Sequence, residues 1–504
     1  MTSDLKIKKL NHATLQIESS MDVALELSEA FKFMVDGYKF MPAYKNGTFD
    51  GYIRLFNLGS RTIASGLFDK VVEFADKRDY THEVVDDSTK TGFSPPGYQT
   101  PDIDHDSIHE YMENLDLHAR GVPIEIRDYQ IKGVLVCLRD RQAIIKSSVG
   151  SGKSMILYCV CRYLTEVLNV RVLVIVPTIG LTTQLRGDFR DYSSSSDWSA
   201  DDNMHLISGG ADHTVRKPIV VSTFQSLAKS EGKWLNDFGA IITDEGHSIT
   251  AKSFQNIYGK ATHVPFRLAC TGTLHDTKCN MLTMQGLTGP VVSIAETKDL
   301  IAAKQLVPLK VKSISLNYPE DICKAFTKTT YEEELKYLVY NPKRNQFICK
   351  LAVKTTGTTL VFFRFVEHGK MLCEQITEMV GGARKVYFID GGVSAADRES
   401  IRHLANDEDC IVVASYGTMK AGVNLPAIEN IIIGHPIKGG ITFLQSIGRG
   451  LRLKKGKTFC NLFDIGDNLV HKKNVNHTYR HFGSRIEALT REGYDFNIVN
   501  LAFN

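Results

Sequence analysis

Ser147-Ser148-Val149-Gly150-Ser151-Gly152-Lys153-Ser154 stands between an apolar run, Ala143 to Lys146, and a second apolar run that opens at Met155. A buried strand, a glycine-containing turn and an apolar helix, in that order, make a phosphate-binding loop. Gly150, Ser151 and Gly152 let the backbone close around phosphate oxygens, and the helix N-terminus adds aligned N–H groups. Lys153 reaches the β and γ phosphates, and the Ser154 hydroxyl suits magnesium, so the pattern implies ATP with Mg2+. The first glycine of the usual G-x-x-x-x-G-K-[ST] string is Ser147 here, which matters only if that position requires a positive φ.

Working outward, the rhythm from Pro123 is strand then helix. Buried-strand runs fall at Ala143 to Lys146, Val172 to Val176, Ile219 to Val221, Ala240 to Thr243 and Arg267 to Cys270. A second series follows at Thr359 to Phe363, Val386 to Ile389, Cys410 to Ala414 and Asn430 to Ile433, with no phosphate loop of its own. Upstream, helical periodicity near Asp22 to Phe33 and Leu67 to Lys77 is broken by turns at Asp36-Gly37, Asn46-Gly47 and Asp50-Gly51. The predicted architecture is α/β, with two tandem parallel-sheet domains after a small α+β domain. The expected boundaries are 1–85 for the small domain, 86–122 for a linker with one short helix, 123–300 and 301–465 for the two sheets, and 466–504 for a helical extension.

The 504 residues, 43% hydrophobic, suffice for several cores. A formal charge of +3 is near neutral at this size, so any nucleic-acid affinity must come from local patches. The ten cysteines show no zinc spacing, and Cys159 and Cys161 fall in the apolar helix after the loop, where reduced, buried thiols are expected. A reducing cytoplasm fits. No stretch reaches the roughly 18 uncharged apolar residues of a membrane span, and Met1 to Leu10 has no signal-peptide core.

Asp244-Glu245-Gly246-His247 ends the run Ala240 to Thr243, which places two carboxylates at the C-terminal edge of a strand, where open α/β sheets bind ligands. Asp244 suits the magnesium ion and Glu245 suits activation of the attacking water. The loop and the carboxylates are expected on neighbouring strands. In the second sheet's territory, Gln445-Ser446-Ile447-Gly448-Arg449-Gly450-Leu451-Arg452 carries two arginines expected on one helix face. An arginine supplied across a cleft stabilises the transferring phosphoryl group; the same helix, with Lys454, Lys455 and Lys457 after it, also reads as a basic nucleic-acid-facing surface.

These motifs in this order resemble the superfamily 2 helicases, over about Pro123 to Asp464. Asp244 to His247 looks like their DEAH-type box, with Gly246 in the variable place, and Gln445 to Arg452 looks like their Q-x-x-G-R-x-x-R motif. The resemblance implies RecA-like domains and further assignments. Arg127-Asp128-Tyr129-Gln130 resembles the adenine-recognition element: Gln130 would read the adenine edge and Tyr129 or Arg127 would stack, or the segment is an ordinary helix start. Thr271-Gly272-Thr273, with His247, resembles the segment coupling hydrolysis to strand movement. Pro177-Thr178, Ser208-Gly209-Gly210 and Thr223 fall where the family grips the strand backbone, through contacts that carry no base sequence. Ser415 to Pro426 resembles the corresponding element of the second sheet, with Thr418 near phosphate, Gly422 near nucleotide and Asn424 in place of the frequent acid. A plain polar loop remains the alternative for each.

The amino-terminal residues Asp36-Gly37-Tyr38-Lys39-Phe40, Pro42, Tyr44, Gly47, Asp50-Gly51 and Ile53-Arg54-Leu55 resemble the small first domain of the UvsW-type branch-migration helicases of T-even bacteriophages. That likeness implies an ATP-dependent DNA helicase that remodels branched DNA in phage recombination, repair and recombination-dependent replication. Its reactions would be fork regression, Holliday-junction migration and unwinding of D-loops and R-loops in the host cytoplasm. Branched DNA, single-stranded DNA and RNA:DNA hybrid are the implied partners, beside recombination or replication proteins. Lys39, Lys45 and Arg54 beside exposed aromatics suit phosphate contact and base stacking, though in so small a domain the aromatics also serve as core. Two alternatives stay open: a double-strand translocase that does not separate strands, and a nucleic-acid-binding protein switched by nucleotide.

Overall fold

The computed structural model describes residues 3–35, 37–85, 102–207, 214, 216–228, 230–248, 251–274, 278–394, 397, 400–401, 403–405, 408–420, 427–438 and 440–503. The chain divides into two compact units, 1–147 with 152–294, and 148–151 with 295–504.

The first unit opens with a five-stranded sheet in the order Phe56–Asn57, Thr62–Ala64, Thr14–Ser19, Leu5–Lys9, His82–Val85. Alternation puts Leu5, Ile7, Leu15 and Ile17 on one buried face. The helices Met21–Ala30 and Phe68–Asp76 add Val23, Leu27, Val71 and Phe74 to the same core. The first helix stops short of the predicted Phe33 because Lys32–Met34 leaves it to pair antiparallel with Tyr52–Arg54.

This small sheet is locked to the larger one by close backbone approach. A Cβ added at Gly66 would stand 2.1 Å from the carbonyl oxygen of Gln285 and 2.7 Å from the amide nitrogen of Gly289. Both belong to or follow the helix α4, Lys278–Thr288, whose Leu282 joins the amino-terminal core. The Ser65 hydroxyl and the Gln142 side-chain amide both donate to the carbonyl of His12, whose own N–H donates to Thr262. Gly66→Ala should therefore force the two surfaces apart and lower stability by about 1–3 kcal/mol, read as a lower urea midpoint; an unchanged midpoint would show that the junction yields freely.

The larger sheet has seven parallel strands: β1 Gln142–Ser147, β2 Val172–Val176, β3 Met204–Ile207, β4 Ile219–Thr223, β5 Ala240–Thr243, β6 Phe266–Thr271 and β7 Val291–Ala295. Their order is β3-β4-β2-β5-β6-β1-β7. The central strands are buried on both faces, which is why they show as unbroken apolar runs. The edge strands β3 and β7 are partly exposed and carry polar residues, so no such run marks them. The expected linker residues 86–101 lie outside the described residues; after them a helix at His105–Asn114, capped by Asp104, packs Ile108 and Met112 into the core of this sheet.

The second unit repeats the plan with β8 Leu309–Asn317, β9 Thr359–Phe363, β10 Lys385–Ile389, β11 Cys410–Ser415, β12 Asn430–Ile433, β13 Cys460–Asn468 and β14 Phe496–Ala502. The parallel order is β10-β11-β9-β12-β13-β8-β14. Residues 466–504 depart from the predicted helical extension: the helix α6, His477–Arg491, is followed by β14, which pairs with β8. Strand β13 is central yet carries two buried carboxylates. Asp467 meets Arg344 at 2.8 Å and Asp464 meets Arg485 of α6 at 2.8 Å, all four side chains excluded from solvent.

Candidate functional site

The phosphate loop joins β1 to the helix α2, Lys153–Arg162. Gly150 and Gly152 have φ of +87° and +86°, the left-handed region that side chains resist, whereas Ser147 is not among the positive-φ residues. The serine in place of the first glycine is therefore sterically harmless. Lys153 Nζ donates to the carbonyl of Ser147 at 3.1 Å, and the Ser154 hydroxyl lies 2.7 Å from the phenol of Tyr192.

Arg127 caps the helix α1, Asp128–Asp140, and its N–H donates to Oε1 of Gln130. Gln130 is buried, and a Cβ on Gly152 would fall 2.6 Å from its Nε2, so the amide lies against the start of α2. Tyr129 packs half-buried on the core beside it. Of the residues expected to recognise adenine, Gln130 reaches the start of α2, while Arg127 and Tyr129 share its helix start, the plainer reading of the segment.

Asp244 and Glu245 follow β5, but the expected adjacency to the loop strand is wrong: β6 lies between β5 and β1. Asp244 still feels Lys153. Burial, then the neighbouring Glu245, push its carboxyl well above the ordinary carboxylate range, and Lys153 pulls the other way. Glu245 holds a left-handed φ of +49°, a strained conformation for a non-glycine residue. Its buried Oε2 makes no hydrogen bond, although Nδ1 of His247 is 3.3 Å away. Two adjacent carboxylates, of which Asp244 feels Lys153, and the Ser154 hydroxyl that follows Lys153 on α2, are oxygen donors of the kind that a hard cation takes.

From His247, beside Glu245, a polar chain runs to β6. His247 Nδ1 and the Thr271 hydroxyl are 2.7 Å apart, and that hydroxyl donates to the carbonyl of Thr273 at 2.5 Å. With the hydroxyl proton so used, His247 carries its own proton on Nδ1 and donates it. His247, Thr271 and Thr273 are thereby linked in one buried line, which begins beside Glu245 and ends at the segment expected to couple hydrolysis to movement.

In the second unit Gln445 and Arg449 lie on the helix α5, Ile441–Gly450. Arg452 does not share that helix face, contrary to expectation, because the helix ends at Gly450. Lys457 closes the end, donating to the carbonyls of Gly450 and Arg452 at 2.6 and 3.1 Å, and burial brings its amine down to about 8. It is a structural cap rather than part of a solvated basic run.

Of the expected nucleic-acid contacts, Thr178 is exposed and caps the helix α3, Ile179–Tyr192, directly after Pro177. Thr223 and Thr418 are buried, and their hydroxyls meet Ser226 and Ser415 of their own turns. Gly209, Gly210, Gly422 and Asn424 lie outside the described residues. In the amino-terminal domain Lys39, in the 3-10 turn Tyr38–Phe40, and Lys45, at the end of the short helix Pro42–Lys45, are exposed beside Tyr38, Tyr44 and Phe40, the last 81% exposed. Arg54 is held by Asp50 at 2.5 Å. The pattern reading missed Tyr192; its contact with Ser154 spans 38 residues and leaves no local signal.

Three family models match the chain: "DNA helicase UvsW, N-terminal" over residues 4–86, "Type III restriction enzyme, res subunit" over 123–276, and "Helicase conserved C-terminal domain" over 343–454. The ATP-dependent DNA helicase UvsW of Enterobacteria phage T4 is 30% identical over 518 aligned residues, covering 99% of this chain and 100% of that protein. The crystal structure of T4 UvsW matches with a TM-score of 0.52 at 28% identity, covering 99% of this chain and 100% of the other. The DNA 3'-5' translocase XPB2 of Sulfurisphaera tokodaii is 28% identical over 233 residues, 46% of this chain and 47% of its own. Two seven-stranded RecA-like sheets behind an amino-terminal α+β sheet, together with likeness along the whole length, lead to one assignment: the chain belongs to the UvsW family of ATP-dependent DNA helicases.

Proposed function

We propose that this protein uses ATP hydrolysis to unwind and remodel branched DNA, regressing forks, migrating Holliday junctions and clearing D-loops and R-loops during phage recombination, repair and replication. The observation that carries the reading is the buried line from His247 through Thr271 to Thr273, which connects the turn that holds Glu245 to a second strand end. ATP binds through the N–H groups and Lys153 of the loop, with Gln130, Tyr129 and Arg127 at the base. Ser154 and Asp244 hold magnesium, which neutralises phosphate charge when bound. Glu245 takes the proton of the attacking water, and Arg449 and Arg452 stabilise the transferring phosphoryl group, with Gln445 beside them on α5. Pro177, Thr178 and the stretches containing Thr223 and Thr418 follow the DNA backbone. Lys39 and Lys45, with Phe40 and Tyr44, meet unpaired bases at the branch, while Arg54 serves mainly to hold Asp50. The site of action is the host cytoplasm, and among the described residues no helix is long and apolar enough to cross a membrane.

Strand separation on forks, four-way junctions, RNA:DNA hybrids and linear duplex of equal length tests this reading. Faster unwinding of the branched substrates is expected; equal rates on all of them would remove the branch specificity. The likeness to a DNA 3'-5' translocase keeps one second reading in view, movement along duplex without strand separation. Displacement of a triplex strand without any unwinding would favour it.

A further inference from the structure

A hydroxyl that ligates a metal offers an oxygen lone pair and must direct its proton elsewhere. The Ser154 hydroxyl lies 2.7 Å from the phenol oxygen of Tyr192, the last residue of α3. That phenol is held in place by its ring. Tyr192 packs on Tyr158 at 5.7 Å between centroids, and Tyr158 in turn meets Phe189 and Trp198 edge-on at 5.1 and 5.5 Å. Tyr158 and Arg162 follow Ser154 at four-residue steps on one face of α2, and Arg162 donates to the Tyr158 hydroxyl at 2.6 Å. Burial raises the Tyr192 phenol far above physiological pH, so it stays protonated. A protonated phenol still has lone pairs with which to accept the serine proton.

We propose that Tyr192 is a positioning residue for magnesium: it accepts the Ser154 proton, turns the serine lone pairs toward the ion, and so sets the magnesium affinity of the nucleotide-bound site. The proposal rests on the reading of Ser154 as a magnesium ligand. It adds a role for α3, whose N-cap Thr178 lies at the opposite end of the helix from Tyr192.

The test is binding of a fluorescent ATP analogue to the full chain as free Mg2+ is titrated, without turnover. Tyr192→Phe should raise the Mg2+ concentration for half-maximal tightening by about 2- to 10-fold, the range one net hydrogen bond supports, while affinity in EDTA stays at the wild-type value. Ser154→Ala should raise it as well, and adding Tyr192→Phe to that variant should shift it no further. If Ser154→Ala moves the midpoint and Tyr192→Phe does not, the positioning role is overturned while the serine assignment stands. If Ser154→Ala leaves the midpoint unmoved, the ligand assignment itself falls. Phe189→Leu loosens the same aromatic packing without touching the phenol and should keep the wild-type midpoint; an equal shift there would make the effect one of packing and overturn the proposal.

Discussion

Glu245→Gln is expected to reduce ATP turnover by about 10²- to 10⁴-fold, the usual contribution of a general base, while melting temperature stays close to wild type and nucleotide binding is at least as tight. The amide matches the carboxylate in shape, so the packing around His247 survives, but it cannot take a proton from water. Asp244 should respond as well. Its carboxyl is raised by burial and then by the Glu245 charge, so removing that charge favours the ionised form and strengthens the magnesium ligand. The variant should therefore hold ATP tightly and stall. Single-turnover hydrolysis with wild-type speed would exclude Glu245 as the base, and would favour a nucleotide-switched binding protein over a motor.

Arg485→Met is expected to destabilise the second unit by about 3–5 kcal/mol, because removing one member of a buried ion pair strands the other. Arg485 donates from Nε to Asp464 at 2.8 Å, from Nη1 to the Ile437 carbonyl at 2.6 Å and from Nη2 to the Ile465 carbonyl at 3.0 Å. Ile437 lies in the segment that leads into α5, so the loss should reach Gln445 and Arg449 as well as the core. Urea unfolding should show a midpoint well below wild type, and Asp464→Leu in the same chain should restore part of it by removing the stranded carboxylate. A midpoint within error of wild type would show that water reaches Asp464. Arg344, paired with Asp467 and donating to the Gly434 carbonyl at 2.8 Å, holds the same segment three residues upstream of Ile437.

Sequence periodicity reveals the strands whose two faces are both buried. Val172–Val176, Ala240–Thr243 and Thr359–Phe363 show as unbroken apolar runs because helices cover them above and below. Leu309–Asn317 hides behind its lysines, Cys460–Asn468 behind Asp464 and Asp467, and Phe496–Ala502 behind an edge position that leaves most of its residues exposed. Charge in a central strand becomes intelligible only with Arg344 and Arg485, which lie 123 and 21 residues away from their partners.

The phosphate loop and the Asp-Glu pair were legible for a different reason: their chemistry is local, and Gly150, Gly152, Lys153 and Ser154 need only one turn to converge. The contacts that complete them are not local. That Ser147 sits comfortably is a matter of its φ, that Gln130 touches the start of α2 depends on how α1 packs, and that Tyr192 meets Ser154 depends on the length of α3. Similarly, the failure of Arg452 to share a face with Arg449 turns on where α5 ends, a boundary that Lys457 fixes from beyond the helix.

The most direct measurement of the central claim is the steady-state rate of ATP hydrolysis by the full chain, alone and with forked DNA or linear duplex of equal length. A DNA-coupled motor that recognises branches predicts slow hydrolysis alone and a rate raised more by the fork than by the duplex. The same rate with and without DNA would contradict it.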